Sequence, residues 1–241
     1  MALGSLVSIA ASTFNRVMVV ELSLLQIIPG LLLALHYFIQ ISRPNWGFLS
    51  DKGGNRTFWI IIGVIILCLG SILACIGILL IPENYLFGLT ISIFAYILIG
   101  IGVGASGTSL LAFLATRTDN SKKAAAATIT WIMMIFGAAF TAIFVGKIID
   151  PYSIEKLLKI VTVISLFWII TSFITLYKLE STHKQKVLHR FEPVSITFYQ
   201  GLKQVLLEQN TRWFTIFVFL SMTAYFMQEP ILEPYAGLIF K

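Results

Sequence analysis

The chain is poor in charge, in cysteine and in histidine, and each shortage removes a class of function. Only 12% of its 241 residues are charged, against about 25% in an ordinary soluble domain. An ordinary water-soluble globule is thereby excluded. Its two cysteines, Cys68 and Cys75, fall in one apolar run, seven residues apart and nearly on one helix face, which rules out a disulfide scaffold and makes them small packing residues. Of three histidines, His183 and His189 lie in a polar stretch without a supporting carboxylate pair. No Cys/His cluster has zinc spacing, and no Walker loop, nucleophile elbow or HExxH occurs. The chain is accordingly read as a non-enzyme without a metal site. Residues 1–12 also lack the basic region of a secretory signal and read as the start of a first membrane helix.

What is abundant is apolar sequence: 58% of the residues are hydrophobic and the mean hydropathy is +0.90. Seven runs have nearly the ~20 residues that a membrane-crossing helix requires. They cover 3–20, 25–42, 58–81, 86–115, 124–148, 157–178 and 213–231. The third and fourth are free of charge, whereas Gln228, Glu229 and Pro230 interrupt the seventh. The expected fold is an all-α polytopic membrane protein.

The formal charge of +6 sits in loops, where it orients the chain and binds anionic lipid; nucleic acid is not an expected partner. Basic residues follow the second, fourth and sixth runs, among them Arg43, Lys52, Arg56, Arg117, Lys122, Lys184, Lys186 and Arg190. Those loops should be cytoplasmic, and the N-terminus with them. The polar stretch separates residues 1–178, a six-helix bundle, from 213–241, the first helix of an incomplete second bundle. Within the linker 179–212, residues 194–207 carry apolar residues at helical intervals, so a short surface helix is expected.

Between the second and third runs stands Gly47-Phe48-Leu49-Ser50-Asp51-Lys52-Gly53-Gly54-Asn55-Arg56-Thr57. Its glycines predict a tight reversal, and Asp51 is placed to meet helix N-terminal amides or a basic partner. This segment resembles the signature loop of the major facilitator superfamily, whose members have two six-helix halves. The resemblance implies that Gly47, Asp51, Gly54 and Arg56 form a gating loop, with Asp51 and Arg56 as a charge-relay latch. A narrower likeness rests on Phe14-Asn15-Arg16-Val17-Met18-Val19-Val20-Glu21-Leu22, Leu35-His36-Tyr37, Arg43-Pro44-Asn45-Trp46-Gly47 and Leu232-Glu233-Pro234-Tyr235-Ala236-Gly237. These strings resemble the PucC-type branch, which delivers chlorophyll-type pigment and assists assembly of light-harvesting complexes.

That likeness makes Asn15, Arg16, Glu21, His36 and Gln40 the candidate cargo-binding residues. A cation within the hydrocarbon costs at least about 2.5 kcal/mol at its centre. Arg16 therefore either binds a cargo carboxylate or closes an outer gate, with Glu21 as a partner if the helix bends, or snorkels to the interface. His36 and Gln40 share a helix face; the imidazole would ligate chlorophyll magnesium or be hydrogen-bonded within the bundle. Gly100, Gly102 and Gly104 have small-xxx-small spacing with Gly104 and Ser106, which suits close helix packing. The five tryptophans read as interfacial anchors.

Two departures matter. The fourth run has no arginine, which argues against the proton coupling common in the superfamily. The second bundle has barely begun at Lys241, so either the chain is a truncated or split protein or alternating access takes a partner, a second polypeptide or a second copy. The resemblance implies an integral protein of an inner or photosynthetic (thylakoid) membrane that handles chlorophyll as cargo and binds no permanent cofactor. Its expected partners are lipid and light-harvesting or photosystem subunits. A general small-solute transporter and a non-transporting assembly scaffold are the alternatives.

Overall fold

The computed structural model describes residues 1–53, 55–149, 152–177, 199–200, 203 and 207–226. The chain divides into two units, Met1–Gln185 and Lys186–Lys241. All regular structure among the described residues is helical, and the protein is an all-α polytopic membrane protein.

The first unit contains α1 (Ala2–Glu21), α2 (Ile27–Ile39), α3 (Arg43–Gly53), α4 (Arg56–Leu80), α5 (Tyr85–Arg117), α6 (Lys123–Ile149) and α7 (Ile154–Leu176). The described part of the second unit includes α8 (Gln209–Phe226). Two starts are set by side chains that take up otherwise orphaned amides. Asn84 accepts from the Phe87 N–H at 3.2 Å and Ser153 from the Lys156 N–H at 3.2 Å.

Among the described residues five helices are long and apolar enough to cross a membrane: α1, α4, α5, α6 with its preceding turn, and α7. The second apolar run gives only the 13-residue α2, which tightens into a 3₁₀ turn at Gln40–Ser42 and continues as the polar α3. The described part of the seventh run lies in the 18-residue α8, whose first residues are Gln209, Asn210, Thr211 and Arg212, and the rest of that run lies outside the described residues. The surface helix expected over 194–207 lies largely outside the described residues.

The glycine-rich reversal is corrected. Residues Gly47 to Gly53 are helical, so these glycines do not make the reversal expected of them. Gly47 thus serves proximity rather than a turn: a Cβ there would stand 3.2 Å from Thr108 Cγ2 on α5.

The centre of the unit is the antiparallel pair α4/α5. Gly63, Gly70 and Gly77 recur every seven residues on α4, opposite Gly102, Ala95 and Gly88 on α5. A Cβ on Gly77 would lie 3.0 Å from the Gly88 carbonyl oxygen, one on Gly70 3.1 Å from that of Ala95, and one on Gly102 2.8 Å from that of Gly63. A seven-residue repeat keeps one seam facing its partner along two supercoiled helices, and small residues let the backbones touch. Cys68 and Cys75 are buried beside this seam, and the Cys68 thiol donates to the Ser165 carbonyl of α7 at 3.4 Å.

Candidate functional site

Helix α1 carries the first three candidates. It is not a uniform α-helix: Ile9–Thr13 and Val17–Glu21 are π-helical, on either side of Phe14-Asn15-Arg16. The Phe14 N–H reaches the Ile9 carbonyl and the Leu22 N–H the Val17 carbonyl, each five residues back. Such wide turns are frequent at functional sites. The first is held by the fully buried Tyr96 of α5, whose hydroxyl donates to the Ala10 carbonyl at 2.9 Å. Asn15 and Arg16 are half-buried, while Glu21 is exposed at the helix end.

His36 and Gln40 do meet. His36 is buried at 1% exposure, and its Nε2 lies 2.8 Å from Gln40 Nε2. The amide oxygen of Gln40 in turn accepts from Arg43 Nη2. Three polar side chains at spacings of four and three therefore run in series from an exposed arginine to a buried imidazole. Gly100 brings the α5 backbone against this point, since a Cβ there would lie 2.8 Å from the His36 carbonyl oxygen.

A second cluster joins α3 to the far end of α5. Arg56 makes an ion pair with Asp51, Nη2 to Oδ1 at 2.6 Å and Nε to the same oxygen at 3.1 Å. Its Nη1 donates to the Ala112 carbonyl at 3.1 Å and to Thr116 Oγ1. One guanidinium thus spans the α3 end and the last turns of α5, using the forked geometry that a lysine lacks. Beside it Trp46 donates to Ser42 Oγ at 3.0 Å, rests near Trp59 with centroids 5.8 Å apart, and occupies the space over Gly104. Gly54 lies outside the described residues.

Sequence reasoning missed Arg43, Tyr96, Ala112 and Thr116. Arg43 could have been found, because it stands one turn beyond Gln40 on the same face. The α5 partners of Arg56 and the Ala10 partner of Tyr96 lie more than fifty residues away in the chain, and no local pattern announces them.

Helices that satisfy their own backbone, an apolar exterior and polar groups gathered inside define a multi-pass integral membrane protein. The family model described as PUCC protein matches residues 13–241, and the chain belongs to that family. It is 50% identical over 240 residues to the "Bacteriochlorophyll synthase 44.5 kDa chain" of Rhodobacter capsulatus, covering 100% of this chain and 55% of the relative. It is 25% identical to "Protein PucC" of Cereibacter sphaeroides, over 98% of this chain and 54% of the relative. A further "Protein PucC", from Rhodobacter capsulatus, is 22% identical over 97% of this chain and 53% of its own length. The chain spans about half the length of the curated relatives it matches. No solved structure matches it.

The expectation of a non-enzyme is corrected by the first of these names. A relative named as a synthase chain points to an enzyme-associated protein. Missing catalytic motifs speak only of the reacting groups in this chain, since a chain can belong to an enzyme assembly without supplying them.

Proposed function

We propose that this protein serves pigment handling in a photosynthetic membrane, carrying chlorophyll-type pigment from its synthesising enzyme towards light-harvesting apoproteins. The observation that carries this reading is the 50% identity, over its whole length, to a chain named for bacteriochlorophyll synthase. The polar groups held within an apolar bundle support it, because a largely apolar cargo needs only a few directed contacts to be oriented. In this reading Asn15, Arg16 and Glu21 form one end of the cargo path and His36 with Gln40 another. The Asp51–Arg56 pair braces the cytoplasmic ends of α3 and α5, as in a major-facilitator bundle, with the N-terminus on the same side.

The test is purification in mild detergent from a pigment-replete photosynthetic membrane. Pigment should co-purify with the protein and be lost from Arg16→Ala, while the variant keeps its wild-type elution on size exclusion. Colourless wild-type protein would overturn the proposal. A second reading, an accessory chain that stays with the synthase, is favoured by the same name and predicts stoichiometric co-purification of the synthase itself.

A further inference from the structure

The Arg43–Gln40–His36 series settles which imidazole nitrogen carries the proton. A guanidinium has only donors, so the Gln40 atom facing Arg43 is the amide oxygen, and the NH₂ group faces His36. Gln40 therefore donates to Nε2. That nitrogen is the lone-pair side of a neutral ring, and the proton sits on Nδ1. Nδ1 is buried and meets no acceptor among the described residues. Buried donors are nearly always satisfied, and one left over marks a missing partner. The backbone cannot easily shift to supply one, because α5 is pressed against the His36 carbonyl at Gly100.

We propose that His36 uses Nδ1–H to hold a carbonyl oxygen of an apolar ligand, and that it is not a metal ligand. Neither nitrogen has a free lone pair for a metal: Nε2 accepts from Gln40, and Nδ1 is protonated. A carboxylate fits poorly, since one neutral N–H does not offset a charge brought into an apolar bundle. A ketone or ester carbonyl needs one donor and carries no charge. Tyr37 and Gln40, both half-buried, stand beside the ring, the Tyr37 centroid 4.9 Å from that of His36. The two sources of such a carbonyl are a ring ketone of a pigment and an ester of a membrane lipid. Only the pigment source rests on the function proposed above.

The test uses the full chain carrying His183→Asn and His189→Asn, labelled with ¹⁵N-histidine and placed in nanodiscs of ether-linked lipid, which has no ester carbonyl. The resonances should report a neutral ring protonated on Nδ1, and Gln40→Leu should abolish that tautomer preference. Adding a magnesium-free bacteriochlorin ketone should move the Nδ1 resonance and lower the ketone stretching frequency. His36→Asn, which keeps a donor near Nδ1, should bind it within about threefold of wild type, and His36→Leu about tenfold more weakly. A shift caused by ester lipid and not by the bacteriochlorin would assign the carbonyl to lipid, preserving the donor while removing the pigment source. Nε2 protonation, binding that requires magnesium, or an Nδ1 resonance unmoved by both carbonyl sources would overturn the proposal. Magnesium-dependent binding would do so while leaving the pigment function intact.

Discussion

Helices α4 and α7 are both apolar, of similar length and able to cross a membrane, yet 56% of the apolar window of α4 is buried within the protein against 17% of that of α7. The difference lies in the placement of small residues. On α4 and α5 glycine or alanine returns every seven residues along a shared seam. Helix α7 buries only Leu157, Val161 and Ser165, and α6 only Gly137, Thr141, Val145 and Ile149, one stripe at every fourth position. The rest of α6 carries Phe136, Phe140 and Phe144, stacked at 6.1 and 6.0 Å along an exposed edge. Hydropathy admits a helix to the bilayer; small side chains decide which helices touch, because lipid competes equally well for large apolar ones.

The largest effect should come from filling the seam. Gly102→Leu places a Cβ 2.5 Å from the Leu67 backbone nitrogen. Backbone rather than a flexible side chain would have to move, so a loss of about 3 kcal/mol or more is expected. Gly146→Ala on α6, where nothing lies within 4 Å, should change stability by less than about 0.5 kcal/mol. Thermal unfolding in detergent compares the two, and equal losses would break the contrast.

Next in size is Tyr96→Phe, which removes the hydroxyl's hydrogen bond to the buried Ala10 carbonyl and should cost about 1–2 kcal/mol. Hydrogen exchange should rise at residues 9–16 and not in α7. Arg56→Gln removes a partly exposed ion pair and two hydrogen bonds, for about 1 kcal/mol. Its exchange signature should be confined to residues 51–57 and the last turn of α5. The smallest effect belongs to the outer helices, where Ser5 Oγ and Thr141 Oγ1 lie 2.6 Å apart. A double-mutant cycle of Ser5→Ala and Thr141→Val should give a coupling of about 0.6 kcal/mol. A value rivalling the Tyr96 effect would mean that α6 is held as firmly as the seam.

Much of the fold could be read from local pattern. The charge-free runs mark α4 and α5. His36 and Gln40 were paired by their spacing alone. The glycine-rich segment was harder: glycine permits a reversal without requiring one, and Gly47 is spent on approach to Thr108. Gly100, Gly102 and Gly104, close together on α5, meet three different neighbours: the His36 carbonyl, α4 and Trp46. Each step of two residues turns a helix by more than half a circle, so adjacent glycines cannot serve one contact.

By itself the sequence determined that this chain enters a bilayer as helices, because runs of apolar residues and scarce charge leave no other way to satisfy the backbone there. It also determined that Arg16 would be a costly residue, needing a partner or the interface. Only tertiary structure decided which distant groups meet. The reach of Arg56 to α5, the hold of Tyr96 on the wide turn of α1 and the burial of His36 Nδ1 are set by which helices lie side by side. That choice is made by close packing between segments far apart in the chain, and local pattern does not encode it.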